Sequence, residues 1–312
     1  MHFTAILGHD KQKKILSDIV KEGNFAPAYA FLGPSGIGKK KTALAFSKMA
    51  NCLEPDLCHL EKPCRSCHKI ETGNHPDIIY LGDGLENIKI DDIRKTLHSL
   101  AYAPFEARQR FFLIDNAHNL TQSSSNALLK TLEDCASHTS FILLAQSASK
   151  LLPTIVSRCQ KINFSALSQK DVESILEKVL GHSDIKLLVR LSQGSLERAL
   201  ELKDTLLSCE KRIHILKQMS EKHPVEWIGE LSSLELFFLK TWYRDILLSM
   251  VCPGSRDQII HEDLKSLIQV ESEKSEISDV MGKWSLVMEA ERRLEFNVNK
   301  QINNEWLGLQ LV

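Results

Sequence analysis

Tyr29-Ala30-Phe31-Leu32-Gly33-Pro34-Ser35-Gly36-Ile37-Gly38-Lys39 is a short apolar run that passes through glycines to a lysine, where a helical pattern begins and continues to Ala50. An apolar run of this length suits a buried strand of a mostly parallel sheet. Strand, glycine-rich loop and helix in that order are the context a phosphate-binding loop requires. Gly33, Gly36 and Gly38 let the backbone wrap phosphates, the loop N–H groups converge at a helix N-terminus, and Lys39 supplies countercharge. The plain alternative is a glycine-rich turn that binds nothing; strand, loop, lysine and helix occurring together argue against it. One position departs from the pattern. A Ser or Thr hydroxyl normally follows the lysine and coordinates the magnesium ion of the nucleotide, but Lys40 stands there, and a protonated ammonium is no metal ligand. Thr42 lies about 200° further round the helix and is a poor substitute. The loop leaves ATP or ADP binding open, weak or absent, and predicts no magnesium-dependent hydrolysis.

Working outward, Asp77 to Tyr80, Phe111 to Ile114 and Phe141 to Leu144 read as further strands. Ile90 to Ala101 and Thr121 to Cys135 read as helices between them, the first with Ile90, Ile93, Leu97 and Leu100 on one face. Strand alternating with helix predicts a three-layer α/β domain. The strand that starts at Arg110 ends in Asp115-Asn116-Ala117-His118, which places a carboxylate where it can stand beside a magnesium ion. A buried strand with a capping Asp is the alternative for this segment taken alone. In hydrolysing enzymes of this class a glutamate follows and polarises the attacking water; Asn116 can orient a water but cannot accept its proton. Lys40 and Asn116 strike the same chemical step, so together they read as a nucleotide-site scaffold retained for shape.

After Phe164 the strand signals stop. Ser168 opens a helix over Asp171 to Leu180, with Val172, Ile175, Leu176 and Val179 on its buried side, and Gly181 ends it. Helical patterns over Asp184 to Gln193 and Ser195 to Leu206 complete a small module, and only helical periods appear beyond it, including Leu231 to Val251 and Val280 to Leu311. The expected organisation is 1–165, an α/β domain carrying a cysteine-rich module at about 52–67; 166–207, a small helical domain; and 208–312, an all-helical domain.

The 312 residues exceed what one small core organises, and 43% apolar with 25% charged residues is the composition of a folded, water-soluble protein. Lys plus Arg (39) balance Asp plus Glu (40), so no broad positive field exists to hold a nucleic-acid backbone. Met1 to His9 lack the features of a secretory signal, and Leu231 to Val251 carries Glu235, Lys240, Arg244 and Asp245, which are costly in hydrocarbon. A cytoplasmic protein with no membrane partner is expected.

Four of the eight cysteines, Cys52, Cys58, Cys64 and Cys67, crowd into one stretch. In a reducing compartment that density suits a closed tetrahedral zinc site of structural purpose better than disulfides, an unligated reduced cluster being the alternative. His59 and His68 are nearby substitutes for a thiolate. The isolated Cys135, Cys159, Cys209 and Cys252 read as core or helix-packing residues.

Ser125-Asn126-Ala127-Leu128-Leu129-Lys130-Thr131-Leu132-Glu133-Asp134 and Leu151-Leu152-Pro153-Thr154-Ile155-Val156-Ser157-Arg158-Cys159 resemble the AAA+ clamp-loader family, and within it the bacterial delta-prime subunits. Nearly the whole chain shares the resemblance, least over 209–224 and 254–279. It implies a RecA-like AAA+ domain, a helical lid and an all-α collar, the collar including Trp242 to Leu248 and Leu294 to Asn299. It implies that Arg158 is an arginine finger presented to an adjacent subunit's ATP, a surface salt bridge being the alternative on those residues alone. Leu191 to Leu200 is similar to the lid motif whose arginine, here Arg198, senses nucleotide, or is structural if the site stays empty. Gly73-Asn74-His75-Pro76-Asp77 follows the cysteines as in the family, although Glu61 stands where the family has its second cysteine and Cys58 lies three residues earlier. The implied role is a component of the DNA polymerase III holoenzyme without its own ATPase activity. Its implied partners are gamma/tau and delta in a hetero-pentameric ring and, through them, the sliding clamp and primer-template DNA. The rival is an ATP-hydrolysing gamma/tau-like or helicase-loading motor, against which Lys40 and Asn116 argue.

Overall fold

The computed structural model describes residues 2–58, 62–82, 88, 91, 93, 100, 102–133, 138–180, 185–205, 209–221, 223, 228, 231–252, 254, 258–295 and 298–311. The expected helix over Ile90 to Ala101, apart from Asp91, Ile93 and Leu100, lies outside these residues, as do His59, Glu61, Asp134, Cys135, Gly181, Phe296 and Asn297. The chain divides into two compact units, Met1–Ile175 with Gly194–Leu196, and Leu176–Gln193 with Glu197–Val312.

In the first unit α1 (Asp10–Glu22) precedes β1 (Ala28–Leu32), which leads through the glycine loop into α2 (Lys39–Ala50). There follow α3 (Arg65–Glu71), β2 (Ile78–Leu81), β3 (Arg110–Ile114), α4 (Gln122–Glu133), β4 (Thr139–Ala145), α5 (Pro153–Val156) and β5 (Gln160–Asn163). The five strands form one sheet in the order β2-β3-β4-β1-β5, parallel at every pairing, with Ala28 opposite Phe141 and Phe112 opposite Phe141 setting the central register. All residues of β1, β3 and β4 are buried, which is why those strands read as unbroken apolar runs: a parallel sheet has both faces covered. On one face Phe46 of α2 meets Tyr29 and Phe111 at ring-centroid distances of 5.5 and 5.3 Å. On the other Phe112 stacks on Phe141 at 4.9 Å above Leu128, Leu132 and Ile155. The sequence patterns did not single out β5, because in Gln-Lys-Ile-Asn at the sheet's edge only Ile162 is buried.

Helices α6 (Gln169–Leu180), α7 (Ile185–Ser192), α8 (Leu196–Thr205) and α9 (Cys209–Glu221) follow, then α10 (Ser233–Val251), α11 (Lys265–Lys274), α12 (Ile277–Glu295) and α13 (Lys300–Gln310). Of the stripe expected on the buried face of α6, Val172 and Leu176 are buried, whereas Val179 is 61% exposed. The helical periods over Val280 to Leu311 fall on two helices, and Asn299 opens the second, its side chain accepting from the N–H groups of Gln301 and Ile302 to cap α13. Cys159 is buried as expected, whereas Cys252, just beyond the end of α10, is exposed. In the second unit α10 packs against α11 and α12, and its charged residues are each met locally. Glu235 forms a capping box with Ser232, Lys240 pairs with Glu291, and buried Asp245 accepts from the N–H groups of Ile260 and His261 while pairing with Arg244 at 2.7 Å. No helix among the described residues is long and apolar enough to cross a membrane.

Candidate functional site

The loop between β1 and α2 reaches the end of β5 so closely that a Cβ on Gly33 would lie 2.3 Å from the Phe164 carbonyl oxygen. Gly36 and Gly38 take φ angles of 69° and 95°, a region that only glycine enters freely. Lys39 is buried and folds over its own loop, Nζ donating to the carbonyls of Gly33 at 2.7 Å and Pro34 at 2.5 Å.

β4 lies between β1 and β3, so the ends of those two strands stand about 10 Å apart at ordinary strand spacing, and the Lys40 and Asp115 side chains approach each other from the two sides of that gap. Lys40 Nζ lies 3.9 Å from Asp115 Oδ2 and 4.2 Å from the centre of the Tyr80 ring. The Tyr80 hydroxyl donates to the same Oδ2 at 2.6 Å, and the Asn116 N–H donates to Oδ1 at 2.9 Å. Asn116 is exposed at φ 46°, and Thr42 turns its hydroxyl into its own helix, 2.9 Å from the Gly38 carbonyl. These residues do not fit a magnesium ion. The carboxylate that would share a metal with the nucleotide faces an ammonium and carries two hydrogen bonds, and the hydroxyl nearest the required place points away.

Arg158 stands in the turn between α5 and β5, with a side chain 38% exposed. Its guanidinium donates to the Thr154 carbonyl at 3.0 Å and pairs with Glu133 at the end of α4. The turn is anchored by Ile155, Val156 and the buried Cys159, whose thiol burial pushes up to about 11, so a charged side chain rises from an apolar footing. Arg198 lies in the second unit with its guanidinium 4.4 Å from the centre of the Phe237 ring, a cation–π contact.

Cys52, Cys58, Cys64 and Cys67 form a buried cluster between α2 and α3. Cys52 Sγ and Cys64 Sγ are 3.9 Å apart, and the Cys64 N–H donates to Cys58 Sγ at 3.3 Å. Donor atoms of His2, Cys52, Cys58 and Cys67 lie within 4.8 Å of one another. Soft thiolates gathered at this separation fit zinc. His68 is exposed on α3. The neighbouring Gly73 to Asp77 stretch ties this module to β3. There the buried Asp77 carboxylate accepts from the N–H groups of Phe105, Glu106 and Ala107 and pairs with buried Arg110 at 3.1 Å.

The family described as DNA polymerase III, delta subunit, matches residues 8–168. The delta-prime subunit of Bacillus subtilis DNA polymerase III is 30% identical over 315 aligned residues, covering 96% of this chain and 94% of that one. This chain belongs to the delta-prime family. The tau subunit of Escherichia coli is 33% identical over 66% of this chain, a match that spans 33% of its own length. A solved gamma-subunit-related protein of DNA polymerase III from Thermotoga maritima shares the fold, with a TM-score of 0.51 at 17% identity over 96% of this chain and 98% of that one.

For a delta-prime family member, several partnerships of the site carried no recognisable sequence signal. Tyr80 closes on Asp115 from a neighbouring strand, Glu133 meets Arg158 across a stretch of chain that includes β4, and His2 lies far from the cysteines along the chain. Each pairing joins positions distant along the chain, so only the assembled fold reveals it.

Proposed function

We propose that this chain acts in the DNA polymerase III clamp loader as a subunit that completes a neighbour's ATPase site while hydrolysing no ATP itself. The observation that carries this reading is the Lys40 ammonium beside Asp115, with Asn116 where a general base is needed. An ammonium there repels magnesium, and an amide cannot take a proton from water, so both requirements for hydrolysis fail together. Any ATP or ADP at Gly33, Gly36, Gly38 and Lys39 would bind weakly and without turnover.

Arg158 is the group we assign to chemistry, as a finger supplied in trans. An exposed guanidinium on a rigid turn can leave Glu133 for the γ-phosphate held by an adjacent subunit, where it offsets charge developing in the transition state. Arg198 senses phosphate in the lid when a nucleotide is present. The working division is 1–165 as the AAA+ domain, 166–207 as the lid and 208–312 as the collar that holds a hetero-pentameric ring with gamma/tau and delta. Through that ring the chain serves the sliding clamp and primer-template DNA in the cytoplasm. Zinc, held by the thiol cluster at 52–67, would cross-link α2 to the loop before α3 and contribute folding energy.

ATP hydrolysis measured on the purified chain, and then on the reconstituted loader with clamp and primed DNA, tests the proposal. No turnover alone, with complex activity that falls on Arg158→Ala, supports it. Lys39-dependent turnover by the isolated chain would show a motor instead.

A further inference from the structure

We infer that His2 is a metal donor of the thiol cluster, so that zinc is held by His2, Cys52, Cys58 and Cys67, with Cys64 beside the site as a hydrogen-bonding residue. The inference rests on the zinc reading and goes beyond it in naming a ligand that no cysteine spacing foretells. Donor atoms of these four residues lie within 4.8 Å of one another. Around tetrahedral zinc, thiolate and imidazole donors sit about 3.5 to 3.8 Å apart, so a contraction of about 1 Å closes the set.

Two further observations favour His2. Its Nε2 is sealed from solvent with no hydrogen-bond partner among the described residues, and a buried ring nitrogen left unmet is costly; a bond to zinc satisfies it. Three thiolates and a neutral imidazole also leave one net negative charge on the centre where four thiolates leave two, an advantage in a cluster as buried as this one. The Cys64 thiol is not part of that group of four donors, and its backbone N–H donates to Cys58 Sγ, a contact that orients a ligand thiolate. With its Sγ 3.9 Å from that of Cys52, it stands ready to enter if the imidazole is lost.

The test uses the full-length chain loaded with cobalt, whose sulfur-to-metal charge-transfer absorption scales with the number of bound thiolates, together with the rate at which a chelator removes zinc. Wild type is expected to show three thiolates and one nitrogen, and Cys64→Ser to keep that spectrum and its zinc. His2→Ala should move to a four-thiolate spectrum and lose zinc about tenfold faster, while the double variant should retain little metal. A four-thiolate spectrum in wild type, unchanged by His2→Ala, with metal lost on Cys64→Ser, overturns the assignment of His2 and leaves the zinc reading standing. A wild-type chain that takes up neither metal overturns both.

Discussion

Replacing Arg158 by alanine distinguishes a guanidinium that acts in chemistry from one that only decorates the surface, because the two roles differ by orders of magnitude. The Arg158–Glu133 pair has side chains 38% and 53% exposed, and an ion pair this wet contributes about 0 to 1 kcal/mol. The bond to the Thr154 carbonyl adds about 1 kcal/mol at most. Losing both should move the thermal midpoint by no more than about 4 °C in a chain of this size. A finger on a neighbour's γ-phosphate is worth about three to five powers of ten in rate, or about 4 to 7 kcal/mol of barrier. The expected outcome is therefore a nearly unchanged melting curve for the isolated variant and a fall of about a hundredfold or more in single-turnover hydrolysis at the adjacent site of the reconstituted loader. Arg158→Lys should fail almost as badly, since a point charge does not reproduce the planar fork. Wild-type hydrolysis by a loader containing the alanine variant would refute the assignment, as would a loss of activity matched by an equal loss of stability.

Lys40→Thr removes the ammonium beside Asp115 and restores a hydroxyl after the phosphate-loop lysine, so nucleotide affinity should become magnesium-dependent while hydrolysis stays absent because of Asn116; titration with a fluorescent ADP, with magnesium and with chelator, checks it, and equal magnesium-insensitive binding in both chains counts against it. Asp77→Asn leaves buried Arg110 without its carboxylate and should cost about 3 to 5 kcal/mol in urea unfolding. Burial pushes the Asp77 carboxyl up, but the N–H groups of Glu106, Phe105 and Ala107 and the Arg110 guanidinium more than offset this and hold it below the usual range. Its stabilisation is therefore complete above about pH 4 and lost as pH falls through the lowered value, and the Asn variant should lack that part of the acid limb. In the second unit burial, aided by Arg212, pushes the His261 imidazole down to about 3, so the unfolded chain takes up a proton near pH 6.5 that the folded one refuses. Stability should decline as pH drops from about 6.5 towards 3, and His261→Gln should flatten that decline in urea midpoints compared at pH 7 and pH 5; an equally steep decline in the variant would contradict this account.

The features that local chemistry imposes were legible along the chain. Tyr29 to Leu32, Phe111 to Ile114 and Phe141 to Leu144 are strands because a strand covered on both faces must be apolar throughout, and Gly33 to Lys39 is a phosphate-type loop because backbone wrapping needs glycine at particular places. Lys40 and Asn116 read as departures from an ATPase pattern because each sits at a position whose chemistry admits few residue types. Tertiary structure alone decided what those residues do instead. Lys40 reaches Asp115 because the parallel order β3-β4-β1 brings the loop after β1 and the end of β3 to the same side of the sheet, Tyr80 joins them from β2, and the fold returns His2 to the cysteines. The strand Gln160–Asn163 and the partnership of Asp77 with Arg110 were hidden for a common reason. An edge strand with one buried residue has no period to detect, and a contact between distant positions leaves no pattern within either, so both are set by packing across the sheet rather than by any stretch of sequence.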